Sequence, residues 1–252
     1  MEPIQIRSFD KPLDIRLTDQ KIVLPSEVQT KIDQHWQGLV KANPRLSRGE
    51  VFTVTSVDED ENYIHIKLAE TDYAHYLYSR QIGELGEYTV RIIHPAALLI
   101  TSDNMLIFGA MGAHTGIPGI IQCCGGGLDR EAVTSDGAVD VDHTMHAELE
   151  EELGIEPNDT RVKSLQPTYL KFGGPTGKMT LVYTAKLSVT GKQFMDDYST
   201  FAESLKKAGE LPEFDKMFCI QNDAAVVDSF IVEHEGAFNE FMPILLQTVS
   251  RS

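Results

Sequence analysis

Basic residues are in short supply. Lys and Arg number 22 against 38 Asp and Glu, giving a formal net charge of −16 over 252 residues. Sequence-blind binding to nucleic acid needs clustered Lys and Arg to release counterions, so no nucleic-acid partner is expected. A small phosphorylated ligand stays open, because acidic side chains can hold a cation that binds phosphate. Long apolar runs are missing too. The longest lies at about residues 96–100, far short of the ~20 residues a bilayer-spanning helix needs, and no membrane partner is expected. Residues 1–20 alternate charged and apolar side chains with no apolar block, so a signal peptide is not expected. Cysteine is sparse and odd in number: Cys123, Cys124 and Cys219. That usage fits a reduced, cytoplasmic setting. The adjacent pair reads as two small buried apolar residues rather than a strained disulfide. Internal repeats and low-complexity tracts are absent as well.

What is present is an ordinary folded composition, 42% hydrophobic and 24% charged with Gly 19 and Pro 11. The length exceeds the ~150 residues of a minimal domain. Ser26 and Gln29 have the form of a capping box, and Val28, Ile32, Trp36, Leu39 and Val40 follow at helical spacing. Asn43 and Pro44 end that helix. Residues 51–57 and 63–68 read as a β-hairpin around a polar loop. Residues 71–80 read as a short helix capped by Thr71 or Asp72. Strands are expected at 96–101, 105–110, 120–124, 164–169, 179–186 and 214–220. Helices are expected at 142–153 and 194–207, with a last helix carrying Pro243 in its first turn. The order is mixed α/β and does not alternate strictly, which argues against a doubly wound parallel sheet. Glycine and charge near residues 83–88 mark the expected boundary between an N-terminal extension, 1–86, and a main domain, 87–252.

The richest segment runs from Met145 to Ile155. Met145, Leu149 and Leu153 recur every four residues and form a buried stripe. On a wheel of about 100° per residue, Glu148, Glu151 and Glu152 share the face bordering that stripe, while Glu150 points away. Three carboxylates on one face repel unless something positive is bound, and a hard divalent cation is the natural candidate. A solvated glutamate-rich helix is the plain alternative. Upstream, a strand runs into Gly125, Gly126 and Gly127, where backbone can approach a ligand and free carbonyls can meet a metal.

Residues 125–155 resemble a variant of the Nudix box, Gly-x5-Glu-x7-Arg-Glu-U-x-Glu-Glu-x-Gly-U, where U is apolar. The second half matches at Glu148, Leu149, Glu151, Glu152, Gly154 and Ile155, and Gly125 and Glu131 keep the x5 spacing. Ala147 stands at the arginine position. Fifteen residues separate Glu131 from Ala147 where the pattern has 7, an insertion of 8. Trp36, Asn43-Pro44, Gly49, the hairpin, Thr71-Asp72-Tyr73 and Thr101-Ser102-Asp103 are similar to one Nudix subgroup, the UDP-glucose and UDP-galactose pyrophosphatases of animals and related GDP-sugar-type enzymes of plants.

The resemblance implies a Nudix-type α/β/α sandwich with a mixed sheet. It implies hydrolysis of a nucleoside diphosphate derivative, such as UDP-glucose, to a nucleoside monophosphate and sugar 1-phosphate. Glu148, Glu151 and Glu152 would ligate Mg²⁺ or Mn²⁺, a carbonyl near Gly125 would add a ligand, and one of the three glutamates would act as base. Two alternatives stand beside this reading. One is a weak or inactive nucleotide-binding sensor, motivated by Ala147 and the insertion. The other is a pyrophosphatase for ADP-ribose, a dinucleotide or an alkylated nucleotide. Assembly as a homodimer is left open.

Other signals are weaker. Residues 173–180 approach a P-loop, but Phe172 and Met179 stand where it needs Gly and Ser or Thr. A turn between strands is expected there, with Lys178 a candidate contact to substrate phosphate. His143 and His146 lack the HExxH form of a zinc helix, and Asp142 serves as well for a helix cap. Tyr73, Tyr76 and Tyr78 offer faces for stacking on a base, with Tyr73 the candidate substrate contact. Glu233 and Glu235 read as surface glutamates.

Overall fold

A computed structural model describes residues 3–8, 11–44, 46–83 and 85–252. Glu84, within the expected boundary, and Phe9 and Asp10, within the first twenty residues, lie outside the described residues. A large sheet is built from β1 (Gln5–Ser8), β5 (Ile93–Ile100), β6 (Met105–Met111), β7 (Ile121–Gln122), β8 (Val162–Phe172), β9 (Met179–Leu187) and β10 (Phe214–Gln221). Its order is β1-β8-β9-β5-β6-β10, with β7 paired to β6. Only the β5–β9 pair is parallel, so the sheet is mixed, as expected.

Alternation along β5 sends its side chains to two separate cores. Ala97 and Leu99 join Met145, Leu149, Leu153, Phe194 and Tyr198 on one face. Those partners come from α3 (Val141–Leu153) and α4 (Gly191–Ala208). Ala96 and Leu98 join Phe230, Met242, Leu245 and Leu246 on the other. These belong to α5 (Ala224–Glu233) and α6 (Met242–Ser250). The result is the expected α/β/α sandwich. The buried stripe of α3 holds as read: Met145, Leu149 and Leu153 are all nearly free of solvent contact.

The first third of the chain adds a three-stranded sheet, β2-β4-β3. Its strands are β2 (Leu13–Lys21), β3 (Glu50–Glu59) and β4 (Ile64–Asp72), and it is accompanied by α1 (Ser26–Ala42) and α2 (Tyr73–Gln81). Among the contacts that join the segment to the rest of the chain are two seams. β1 pairs with β8 along its whole length. The box insertion supplies the second seam. Leu17 N–H donates to the Gly137 carbonyl (2.9 Å) and Val139 N–H to the Ile15 carbonyl (2.9 Å). Gly137 needs its positive φ of 81° there, and a Cβ would sit 3.0 Å from the Leu17 carbonyl. The insertion is thus a clamp onto β2.

Several local expectations need correction. The Ser26 capping box does not form: Pro25 is the N-cap of α1, with no side-chain bond. α3 is capped by Asp140, whose carboxylate accepts from His143 N–H (3.0 Å), and begins at Val141, one residue before the expected start. Strand 120–124 shrinks to two residues, because the glycines draw the chain off β6. β1, β2 and α5 had no counterpart in the sequence reading. Residues 173–178 form the turn between antiparallel β8 and β9, so no helix follows as a P-loop requires. Cys123 and Cys124 are buried free thiols. No helix is long and apolar enough to cross a membrane among the described residues.

Candidate active site

The loop after β7 meets α3 at the end of the sheet. Ala97 N–H donates to the Cys124 carbonyl (2.7 Å), which fixes the chain just before the glycines. Gly125 takes φ 151°, and a Cβ there would lie 2.3 Å from the Pro95 carbonyl oxygen. No other residue fits. Its N–H donates to Glu152 Oε2 (2.9 Å). Gly126 lies flat against Glu148: an added Cβ would stand 1.9 Å from Glu148 Oε1. The glycines are therefore shaped around the two glutamates of α3.

Those glutamates are out of their usual range. Glu152 is only 2% exposed, and burial, then the charges of Glu148 and Glu213, push its pKa well up. The bonds from Cys124 and Gly125 oppose the shift without cancelling it. Burial raises Glu148 to about 7, with Glu151, Glu213 and Asp129 adding to the effect. No Lys, Arg or His charge offsets either group among the described residues.

Of the expected site residues, Glu148, Glu152 and Gly125 come together. Glu151 is exposed at the edge of this group and acts on Glu148 through its charge. Glu131 is exposed and is not among the charges acting on Glu148 or Glu152. Glu213, just before β10, is half-buried beside Glu152 and Glu151, and burial raises its pKa. Asp129 acts on Glu148 through its charge. Nothing local marks Glu213 in the sequence, since it arrives from far along the chain.

The donor set suits a hard divalent cation: carboxylate oxygens, buried or half-buried and mutually repelling, offset only by the charge of His114 on Glu213 among the described residues. The side chains are not arranged round a common point, and no group of three metal-binding side chains is assembled among the described residues. Glu148, Glu152 and Glu213 are the groups that would hold an ion, with Glu151 at the rim.

The raised pKa values carry a pH dependence. Between about 4.5 and 7 the folded protein binds more protons at Glu148 than the unfolded chain does. Glu148's contribution to the stability of the metal-free protein is therefore fully present below that window and is lost as pH rises through it, on the order of 3 kcal/mol. Thermal denaturation in a chelator is expected to give a lower Tm at about pH 8 than at about pH 5. Mn²⁺ at about pH 8 is expected to recover the difference. A Tm unchanged by pH and by Mn²⁺ would remove the strain assigned to these carboxylates.

On the far side of the glycines lies a cleft of about 310 Å³, lined by Gly125, Gly126, Gly127, His94, Arg80 and Lys178 among others. Lys178 is therefore on the wall of this cleft. Tyr73 lines a neighbouring cavity of about 290 Å³ with Tyr76, Phe52 and Leu128, touching Gly127 from another direction. The structure does not bring Tyr73 into the wall that holds Lys178. His143 and His146 are exposed on the first turns of α3, and Glu233 and Glu235 are exposed at the end of α5 and just beyond it.

No protein-family model matches the sequence, and no curated relative matches it. Solved structures similar to the chain include DR0079 from Deinococcus radiodurans, 15% identical over 63% of this chain and 83% of that one, with a TM-score of 0.42. A NUDIX-family hydrolase from Clostridium perfringens is 10% identical over 64% of this chain and 97% of that one, at a TM-score of 0.34. A bifunctional NMN adenylyltransferase/ADP ribose pyrophosphatase from Francisella tularensis, complexed with AMP and Mn ion, is 13% identical over 62% of this chain and 40% of that one, at a TM-score of 0.37.

Proposed function

We propose that the chain is a metal-dependent hydrolase of the Nudix type that cleaves the diphosphate of a nucleoside diphosphate derivative, with a nucleotide sugar such as UDP-glucose as its substrate class. The observation that carries this reading is a pair of unneutralised carboxylates, the half-buried Glu148 and the buried Glu152, packed against a glycine loop whose other side opens into a cleft bearing Lys178. Mg²⁺ or Mn²⁺ held there would neutralise diphosphate oxygens and acidify a bound water. Gly125 and Gly126 let the backbone come close to the substrate. Water adds across the P–O–P bridge, one P–O bond breaks, and the products are a nucleoside monophosphate and a sugar 1-phosphate.

A second reading is a binding module without turnover. Ala147 at the arginine position favours it, because no cation orients Glu148 or Glu152. The two readings separate in one experiment. A panel of UDP-glucose, GDP-mannose, ADP-ribose and a dinucleoside polyphosphate is incubated with Mg²⁺ and with Mn²⁺. The hydrolase reading expects both products in equal amounts from at least one nucleotide sugar. Thermal stabilisation by these compounds with none consumed would select the binding module. Cleavage of ADP-ribose alone would move the substrate class and keep the reaction.

A further inference from the structure

The described arginines are almost all committed. Arg7, Arg16, Arg48, Arg130, Arg161 and Arg251 each form an ion pair with a carboxylate. In a chain with 38 acidic residues to 22 basic ones, that is the expected fate of a guanidinium. Of the described arginines, Arg91 and Arg80 make no such pair, and the one that lines the cleft is Arg80. It sits at the end of α2, in the first third of the chain, and lines the cleft beyond the glycines. Lys178 faces the same cleft from the β8–β9 turn. It too has no carboxylate partner, and its ammonium lies 5.6 Å from the centre of the Tyr76 ring.

Both cations are set on fixed supports. His75, buried in α2, is bonded through Nε2 to the Tyr88 carbonyl oxygen (2.7 Å), and Ser79 Oγ accepts from Val90 N–H (3.1 Å). These bonds tie the helix carrying Arg80 to the segment that leads into β5. On the other wall, Lys171 is fully buried and pairs with Glu240. Lys171 Nζ also donates to the Lys178 carbonyl oxygen (2.9 Å), and Thr176 Oγ1 donates to Glu240 (2.9 Å). The one carboxylate in the cleft wall is thereby occupied, and Lys178 keeps its charge for the cleft. A smaller recess of about 130 Å³ continues between Arg80, Thr176 and Lys178.

We propose that Arg80 and Lys178 form a phosphate-binding pair that completes the substrate site from two separate parts of the chain, so that the N-terminal segment supplies a substrate-binding residue, Arg80. The ligand class is a phosphoryl or diphosphate group held by direct hydrogen bonds from the guanidinium fork and the ammonium. For its substrate this rests on the hydrolase reading, but the anion contact itself needs no metal.

The test uses inorganic pyrophosphate as the probe, titrated calorimetrically into the full chain in a chelator at low salt. Wild type is expected to bind it, with affinity falling as salt rises. Arg80→Met and Lys178→Met are each expected to weaken binding about tenfold or more. Lys207→Met, on the exposed face of α4, is expected to bind as wild type does. Circular dichroism and Tm report that each variant is folded, and Arg80→Lys is expected to recover part of the affinity. No binding by wild type, or Arg80→Met within twofold of it, overturns the proposal. If the substrate panel stays intact while pyrophosphate binding depends on Arg80, the hydrolase reading fails and this one stands. If hydrolysis proceeds and KM ignores Arg80, the reverse holds.

Discussion

Glu152→Gln is expected to lower hydrolysis about a hundredfold or more, while raising the stability of the metal-free protein at alkaline pH. The two effects come from one cause. Glu152 is buried, accepts from Gly125 N–H, and sits beside Glu148 and Glu213 with no cation to offset it. An amide of the same shape keeps the bond from Gly125 and removes a charge that burial and two neighbours oppose. It also removes the oxygen charge that would hold a divalent ion. A structural glutamate would behave differently: losing it would cost stability and leave turnover to fall only as the fold loosens. Product release from UDP-glucose with Mg²⁺, read beside Tm in a chelator, separates the cases. Reduced Tm with turnover within a few fold of wild type would mean that Glu152 belongs to the scaffold.

The two loop glycines are expected to fail in opposite ways. Alanine at Gly125 meets backbone: the Pro95 carbonyl oxygen at 2.3 Å and Ala96 Cα at 2.7 Å, on a φ of 151°. Backbone cannot step aside cheaply, so a loss of roughly 3 kcal/mol or more is expected. Alanine at Gly126 meets only the end of a side chain, since its nearest neighbours are all atoms of the Glu148 carboxyl group, the closest at 1.9 Å. The fold survives by swinging that carboxylate away, with stability kept to within about 1 kcal/mol. Displacing a reacting group by about an ångström costs on the order of a hundredfold in rate. Gly125→Ala should therefore show in the Tm, and Gly126→Ala in kcat. Equal effects of both on both readouts would contradict the placement of Glu148 behind the glycine loop.

How much of this was legible in the sequence follows from how far each interaction reaches. The α3 stripe and the shared face of its glutamates are set by residues three and four apart, so the periodicity of Met145, Leu149 and Leu153 revealed them. The hairpin of β3 and β4 is local in the same sense. β1 and β2 escaped because their partners lie elsewhere: β1 pairs with β8, more than 150 residues away, and neither strand has an apolar pattern strong enough to be read alone. α5 was missed although its signal is present. Asp223 caps it by accepting from Ala225 and Val226 N–H, and a run of small apolar residues follows. The box insertion looked like a departure from the pattern. Its purpose lies in tertiary contact, the clamp on β2 at Leu17 and Gly137, which no local rule encodes. Glu213 and Arg80 were invisible for a related reason. Each is an ordinary charged residue until folding places one beside Glu152 and the other, unpaired, across the cleft from Lys178.

In the proposed hydrolase, Glu148 and Glu152 seat the cation. Titration of Mn²⁺ followed by electron paramagnetic resonance tests this claim most directly, using wild type, Glu148→Gln, Glu152→Gln and, as a surface control, Glu150→Gln. The expected result is a saturable site in wild type and in the Glu150 variant, weakened about tenfold or more in the other two. Binding of equal strength in all four proteins would contradict the claim, and so would no saturable binding in wild type.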